Sequence, residues 1–199
     1  FEPRYRRMLA DVLESHRMFA VAMRRPDTKR ELPLPVAGMG LVRVSVQHRD
    51  GTSHLVLHGV LRVELEQAVR YKPYRVHRVR PLVTPPCNEG ITEALMADMR
   101  QLLRERLKVG MPFPFPFMSS PKQLKPGDEP PVSAEKVLNY LDSLTDPDSA
   151  ADLVSCAVLT GGEDRQTILE AVDMETRFRH LIRFLRRDLE AYRKQKQNE

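Results

Sequence analysis

The sequence of 199 residues contains no tryptophan and only two cysteines, Cys87 and Cys156. Two isolated cysteines cannot form a disulfide framework or a cysteine-rich zinc site, so the cysteine usage favours the reducing cytoplasm. No uninterrupted apolar run approaches the roughly 20 residues that a membrane-spanning helix requires, and no signal peptide is visible. These absences predict a cytoplasmic protein that does not enter a membrane.

The motifs of nucleotide hydrolysis and of serine catalysis are also missing. None of the eight lysines follows a glycine, so the chain lacks the Gly-rich loop ending in Gly-Lys-Ser/Thr that cradles nucleotide phosphates. Ser119-x-x-Lys122 and Ser133-x-x-Lys136 match a loose Ser-x-x-Lys pattern, but both lie in or beside a proline-rich stretch without companion motifs. We attribute both matches to chance, and Ser133 is more simply explained as a helix N-cap.

Histidines and carboxylates give no better candidates for chemistry. His54 and His58 fall on one face of a predicted strand, but no third ligand is close in sequence, which favours solvated or half-buried histidines over a zinc site. Glu163, Asp164 and Glu170 belong to a predicted helix, where acidic groups near the N-terminus complement the helix dipole. We therefore predict no enzyme activity, no metal site and no cofactor.

The net charge of +5 is distributed unevenly. Residues 1–82 carry 16 Lys and Arg against 8 Asp and Glu, whereas residues 83–199 carry 16 against 19. Because contacts to phosphate dominate affinity for nucleic acids, the basic N-terminal part makes nucleic-acid binding a hypothesis to consider.

Residues 35–82 have the pattern of antiparallel strands. Apolar and polar residues alternate over 41–47 and 55–66, and Asp50-Gly51 between them fits a tight hairpin because glycine tolerates a positive φ. Gly59 predicts a bulge that lets the ribbon curl. With a further strand over 74–82, a short strand over 18–23 and a first helix starting at Glu2-Pro3, the pattern predicts a small open barrel.

The spacing of apolar residues changes from the alternation of a strand to the period of a helix after Pro85-Pro86. Apolar residues then recur at helical spacing in segments that start near 91, at 134 and at 163, and behind the predicted caps Asp146 and Asp173. The predicted fold class is α+β, with an open antiparallel β-barrel lobe at 1–84 followed by an α-helical lobe at 85–199. The helical lobe carries a proline- and phenylalanine-rich insertion at 110–132.

This insertion is the first candidate binding segment. It contains seven of the sixteen prolines, and in an extended chain its three phenylalanines would share one face while proline blocks one edge. Three hypotheses remain open for it: packing on a sheet edge of its own molecule, binding of a partner polypeptide, or exchange between protomers. The candidate partner-binding residues are Met111, Phe113, Phe115, Phe117 and Met118.

A second candidate is a basic and aromatic stretch that could bind RNA. Cations and aromatic rings alternate there, as they do in single-stranded nucleic-acid sites. The alternative is a solvated edge strand that uses charge to prevent aggregation. The candidate RNA-binding residues are Arg70, Tyr71, Lys72, Tyr74, Arg75, His77, Arg78 and Arg80.

Several segments, taken in order, resemble a known family, the N-terminal (LON) domain of Lon proteases. Residues 1–9, FEPRYRRML, are similar to its FEPRYR-x-M-L segment. The other similar features are Gly40 to Val46, Asp50-Gly51, Leu57 to Val63, Pro73-Tyr74, Ala151 to Val154, Asp164 to Glu170 and Arg177-Phe178. Each motif is weak alone, but their ordered spacing covers most of the chain.

The resemblance implies a PUA-like β lobe, a helical lobe and a family strand that normally precedes the segment at Phe1. It also implies a module that recognises unfolded or specific client polypeptides. The ATPase and Ser-Lys protease motifs of complete Lon proteins are absent from these residues, so the resemblance supports protein binding without catalysis. RNA binding and self-association remain as alternatives.

Overall fold

The computed structural model describes residues 2–26, 28–29, 31–111 and 134–197. The chain divides into two compact units, Phe1–Val83 and Thr84–Glu199. The elements in chain order are α1 (Pro3–Leu13), β1 (Met18–Arg24), β2 (Pro33–Gln47), β3 (Ser53–Arg70), β4 (Val76–Leu82), α2 (Glu89–Lys108), α3 (Ala134–Ser143), α4 (Pro147–Val158), α5 (Gly162–Glu170) and α6 (Met174–Gln197).

The four strands form one antiparallel sheet in the order β1-β2-β3-β4. The sheet does not close, so within the described residues β1 pairs only with β2, and β4 pairs only with β3. The predicted α+β class with an open antiparallel sheet is confirmed.

The β2–β3 hairpin turns where the sequence predicts it. Gly51 has φ +80°, a left-handed conformation that glycine adopts without steric cost. The Thr52 backbone N–H donates to Asp50 Oδ1 at 2.9 Å, and this hydrogen bond holds the pKa of the Asp50 carboxyl below its usual range. The turn therefore fixes the register of the two longest strands.

A bulge bends the same hairpin further along. Gly40 pairs with Gly59 while Met39 pairs with Leu61, which leaves Val60 as the extra residue. Bulges of this kind bend a strand and increase its twist, as the sequence predicts for the region of Gly59.

Helix α1 is joined to the sheet through an unusual residue, Arg17. Its φ of 57° lies in the left-handed region, which costs energy for a residue other than glycine. Two hydrogen bonds offset this cost: Val42 N–H donates to the Arg17 carbonyl at 2.7 Å, and Arg17 Nε donates to the Val42 carbonyl at 3.1 Å. The chain therefore enters β1 at a fixed point on β2.

The two units differ in how much apolar core they contain. Among the described residues, the buried apolar side chains of the first unit are Val12, Ala37, Val42 and Val63. The second unit has a continuous core to which α2 contributes Met99 and Leu103. The other contributions to that core come from α3, α4, α5 and α6 and include Leu141, Val154, Ile168, Phe178, Leu181 and Leu185.

One charged side chain, Arg177 of α6, is also fully buried in the helical unit. It forms an ion pair with Asp148 of α4. It also donates to the Ala171 and Val172 carbonyls that follow α5, both at 3.1 Å. Burial of the guanidinium is therefore matched by charge and hydrogen bonds, as a buried cation requires.

Helix starts in the second unit are capped by polar side chains. Asp146 Oδ2 accepts from Ser149 N–H, and Asp173 Oδ1 accepts from Thr176 N–H, both at 2.8 Å. The pKa of the Asp146 carboxyl is held below its usual range first by a hydrogen bond with the Ser149 side chain and then by the Ser149 backbone N–H. The pKa of the Asp173 carboxyl is lowered chiefly by the Thr176 backbone N–H. Within the described residues, no helix is both long enough and apolar enough to cross a bilayer.

The two aspartate caps make the helical unit sensitive to acid. Because their folded pKa values are lowered, their stabilisation is present above the ordinary aspartate pKa of about 4 and is lost as the pH falls through the folded values. Replacing Asp146 and Asp173 by Ala should cost about 1 kcal/mol per cap at pH 7, whereas Asn at both positions should retain most of the stability.

Urea denaturation between pH 7 and pH 3 measures this effect. The double Asn variant should lose less stability on acidification than the parent, because an amide cap does not titrate. The double variant Glu93→Gln, Glu190→Gln removes two exposed carboxylates from the same unit and serves as the control. Equal pH dependence in both double variants would contradict the assignment.

Candidate functional site

The first unit contains a cleft of about 1020 Å³. Helix α1, strand β1, the β3–β4 connection and the first half of β4 border it. Three of the nine methionines of the chain lie in its lining. The apolar lining residues are Met8, Val12, Met18, Phe19, Ala20, Ala22, Leu32, Pro33, Met39, Leu65, Pro73, Val76 and Val79.

The register of the sheet brings apolar side chains to the floor of the cleft. Ala20 of β1 lies opposite Met39 of β2. Ala37, two residues from Met39 and therefore on the same face, lies opposite Val63, and both are fully buried. The floor of the cleft is thus the accessible continuation of the unit's own core.

A hydrogen bond between Tyr74 and Asp11, supported by two arginines, joins the two sides of the cleft. The Tyr74 hydroxyl, in the β3–β4 connection, donates to Asp11 Oδ2 of α1 at 2.8 Å. Arg7 Nε lies 3.0 Å from the other carboxylate oxygen of Asp11. The Arg70 guanidinium covers the Tyr74 ring, with 4.9 Å between the guanidinium carbon and the ring centroid. These contacts fix how far α1 lies from the connection.

A second group of ion pairs borders the cleft near the start of α1. Arg4 donates to both Glu31 oxygens, at 2.7 and 3.2 Å, and its Nε lies 2.6 Å from Glu2. The hydrogen bonds with Arg4 lower the pKa of the Glu31 carboxyl, and those to Glu31 and Glu2 raise the pKa of Arg4 above its ordinary value. The charge of Arg4 is therefore neutralised locally.

Three cations in the lining form no close ion pair with a described carboxylate, although Arg75 is near enough to Glu31 to help lower the pKa of that carboxyl. Arg70, Lys72 and Arg75 are exposed, and no carboxylate among the described residues lies within ion-pair distance of them. Among the described residues, the lining contains five Lys and Arg and two carboxylates, Asp11 and Glu31. The β3–β4 connection is therefore the positively charged end of a largely apolar cleft.

The residues predicted as an RNA site separate into two groups. Arg70, Tyr71, Lys72, Tyr74, Arg75 and His77 all line the cleft. Arg78 and Arg80 do not line it, and Arg80 forms an ion pair with Glu64 and lies 3.9 Å from Glu66. The structure thus brings the connection together with α1 and β1 and leaves the two arginines of β4 elsewhere on the unit.

Of the five predicted partner-binding residues, Met111 lies within the described part of the chain. Met111 is half-buried just after α2, and its N–H donates to the Arg106 carbonyl at 3.1 Å. Phe113, Phe115, Phe117 and Met118 lie outside the described residues, so their role in partner binding stays a prediction.

Histidines show no sign of a metal site within the described ranges. His54 contacts His48 edge to face, with ring centroids 4.5 Å apart. No three His, Cys, Asp or Glu side chains there come together in a group that could hold a metal ion.

The sequence patterns did not predict that Met8, Met18 and Met39 come together on the floor of one cleft. Met8 lies in the predicted first helix, and Met18 begins the predicted strand over 18–23. The available signal was the succession of a helix and a short apolar strand that together contain three methionines. Methionine is unbranched and adapts to irregular apolar surfaces, which is why it suits a binding surface as well as a core.

Among the described residues of the helical unit, two smaller depressions, of about 340 and 470 Å³, lie between α2 and α6. Both are lined by alternating charges, including Asp98 and Glu190 beside Arg186. They offer less volume and a more mixed charge than the cleft of the first unit, which is therefore the better candidate site.

The Tyr74–Asp11 hydrogen bond should contribute measurably to the stability of the first unit. Tyr74→Phe removes the donor and leaves a half-buried carboxylate with one partner fewer, so we expect a loss of about 1 kcal/mol in the free energy of unfolding. Tyr71→Phe removes a hydroxyl from an exposed ring and is the matched control. If urea denaturation gave the same change in the free energy of unfolding for both variants, the Tyr74–Asp11 hydrogen bond would not be stabilising.

Comparison with known proteins connects this architecture to one family. The family model for the ATP-dependent protease La (LON) substrate-binding domain matches residues 1–187. The chain is 26% identical to a Lon protease of Trichlorobacter lovleyi over 184 residues, which cover 89% of the chain and 20% of that protein. It is also 26% identical to Lon protease 2 of Sorangium cellulosum over 98% of the chain and 23% of that protein.

Solved structures agree on the fold. The N-terminal domain of a Mycobacterium avium complex Lon protease matches with a TM-score of 0.67 and 20% identity, covering 93% of this chain and 86% of that one. A Lon N-terminal domain protein from Xanthomonas campestris matches with a TM-score of 0.56 and 14% identity, covering 92% and 84%. The chain spans about a fifth of the length of the curated relatives it matches.

Proposed function

Because the chain belongs to the ATP-dependent protease La (LON) substrate-binding domain family, we propose that its cleft binds extended, apolar segments of client polypeptides. The matched region is the substrate-binding part of much longer relatives and is not a catalytic domain. The proposed role is therefore recognition, and it requires no reaction by this chain.

The observation that carries the proposal is the methionine-rich floor of the cleft together with the two edge strands that border it. Unfolded polypeptides differ from folded ones in their exposed apolar side chains and unpaired backbone groups. The floor offers apolar contact to the side chains. Among the described residues, β1 and β4 each pair on one side only, so each has an edge to which an extended chain can add.

Binding of RNA by the same cleft is less well supported by the contacts. Base stacking requires accessible aromatic faces. The ring of Tyr74 is covered by Arg70, and its hydroxyl is bonded to Asp11, so Tyr71 is the exposed ring at this position. Phosphates would also meet the carboxylates of Asp11 and Glu31 in the lining.

A comparison of two methionines in one strand tests the proposal. Met18 and Met23 are both half-buried in β1, but only Met18 lines the cleft. We expect Met18→Gln to weaken the binding of a fluorescently labelled apolar peptide about tenfold, because a buried methionine contributes ~1.5–3 kcal/mol. Met23→Gln should leave the affinity unchanged. Fluorescence anisotropy measures both, with circular dichroism and thermal unfolding as checks of folding.

Three further measurements separate this proposal from its alternatives. Peptide affinity that depends on apolar contact should change little between low and moderate salt, whereas binding of an oligoribonucleotide should weaken steeply. Proline at alternate peptide positions should weaken binding if the peptide adds as a strand, because proline has no N–H.

The third measurement concerns the family strand that the resemblance implies before Phe1. A chain extended upstream by such a strand should still bind the peptide. Loss of binding in the extended chain would mean that the strand itself occupies the cleft, and the proposal would then be wrong.

A further inference from the structure

We propose that the cleft prefers client segments in which acidic residues flank an apolar core, and that Arg70, Lys72 and Arg75 provide this preference. The inference rests on the proposed function, since it concerns which polypeptides the same cleft selects. It adds a chemical class of client to a site that would otherwise accept any apolar segment.

The charges of the cleft are arranged asymmetrically. Its two carboxylates are already occupied: Asp11 accepts from Tyr74 and pairs with Arg7, and Glu31 accepts two hydrogen bonds from Arg4. A basic client residue would therefore have to displace an existing partner before it could form an ion pair.

The cations of the β3–β4 connection, in contrast, form no ion pair with a described carboxylate. Arg70, Lys72 and Arg75 are exposed and lie within a stretch of six residues. Arg70 rests on the ring of Tyr74, which is itself bonded to α1, so its guanidinium is held beside the cleft at little further cost in side-chain entropy. An acidic client residue could pair with these cations without displacing a carboxylate from an existing ion pair, and a basic one would be repelled.

The adjoining apolar floor distinguishes this surface from a simple anion site. Met8, Met18 and Met39 lie in the same cleft as the cations, so a ligand that uses the whole site must carry apolar and acidic groups in one extended chain. A polypeptide with carboxylates beside apolar residues meets this requirement. A nucleic acid supplies the charge but has no aliphatic side chains for the floor.

Three peptides that share one apolar core test the preference, with Glu, Gln or Lys flanks. Exposed ion pairs are individually weak, so three of them should give a modest effect. At low salt we expect the Glu-flanked peptide to bind about tenfold more tightly than the Lys-flanked peptide, with the Gln-flanked peptide between them. The difference should disappear near 0.5 M salt, because exposed charges are screened at roughly that ionic strength.

A pair of triple variants assigns the effect to particular residues. Arg70→Glu, Lys72→Glu, Arg75→Glu should reverse the preference, so that the Lys-flanked peptide binds more tightly than the Glu-flanked peptide at low salt. The control Arg43→Glu, Arg49→Glu, Arg78→Glu changes the net charge equally, at exposed arginines of the same unit that do not line the cleft. It should retain the preference for Glu flanks.

The outcomes separate this inference from the proposed function. Equal binding of all three peptides would overturn the charge preference while leaving polypeptide binding intact. Equal loss of preference in the two triple variants would assign it to the overall charge of the unit and overturn the role of the three residues. Failure to bind even the Gln-flanked peptide would overturn the proposed function itself. An oligoribonucleotide that displaces the Glu-flanked peptide at moderate salt would replace the acidic client with RNA.

Discussion

The first unit depends on a sheet that curls without closing. Four antiparallel strands with a bulge near Gly59 bend far enough to bury Ala37 and Val63 completely, but β1 and β4 do not pair with each other. An open sheet of this kind has a core that continues into an accessible apolar surface. Within the described residues the cleft lies beside this open sheet, and its apolar lining is made of the same residue types as the core.

Hydrogen bonds and ion pairs divide the polar residues around the cleft into two roles. Tyr74, Asp11, Arg4 and Glu31 are engaged with one another or with close neighbours, and they hold α1 and the connection in position. Arg70, Lys72 and Arg75 form no ion pair with a described carboxylate, and they contribute positive potential at this end of the cleft. The same short stretch of chain thus contributes a structural tyrosine and the charges beside it, so the position of those charges is set by the fold.

Local patterns in the sequence were sufficient to predict the elements. Strand alternation around Val42 and Val63, the Asp50-Gly51 turn and the caps at Asp146 and Asp173 each depend on residues that are close together in the chain. The cleft could not be predicted in the same way. It depends on contacts such as Asp11 with Tyr74, which are 63 residues apart, and on strand register. Charge pattern alone grouped Arg78 and Arg80 with the connection, although neither lines the cleft.

The small number of buried apolar side chains in the first unit has a mechanical consequence. Resistance to local opening comes largely from buried apolar contact, so a unit whose described core consists of Val12, Ala37, Val42 and Val63 is comparatively compliant. The helical unit, by contrast, has a larger continuous core. Compliance would let the cleft widen or narrow around client segments of different bulk, and so accommodate variety that a rigid groove would reject.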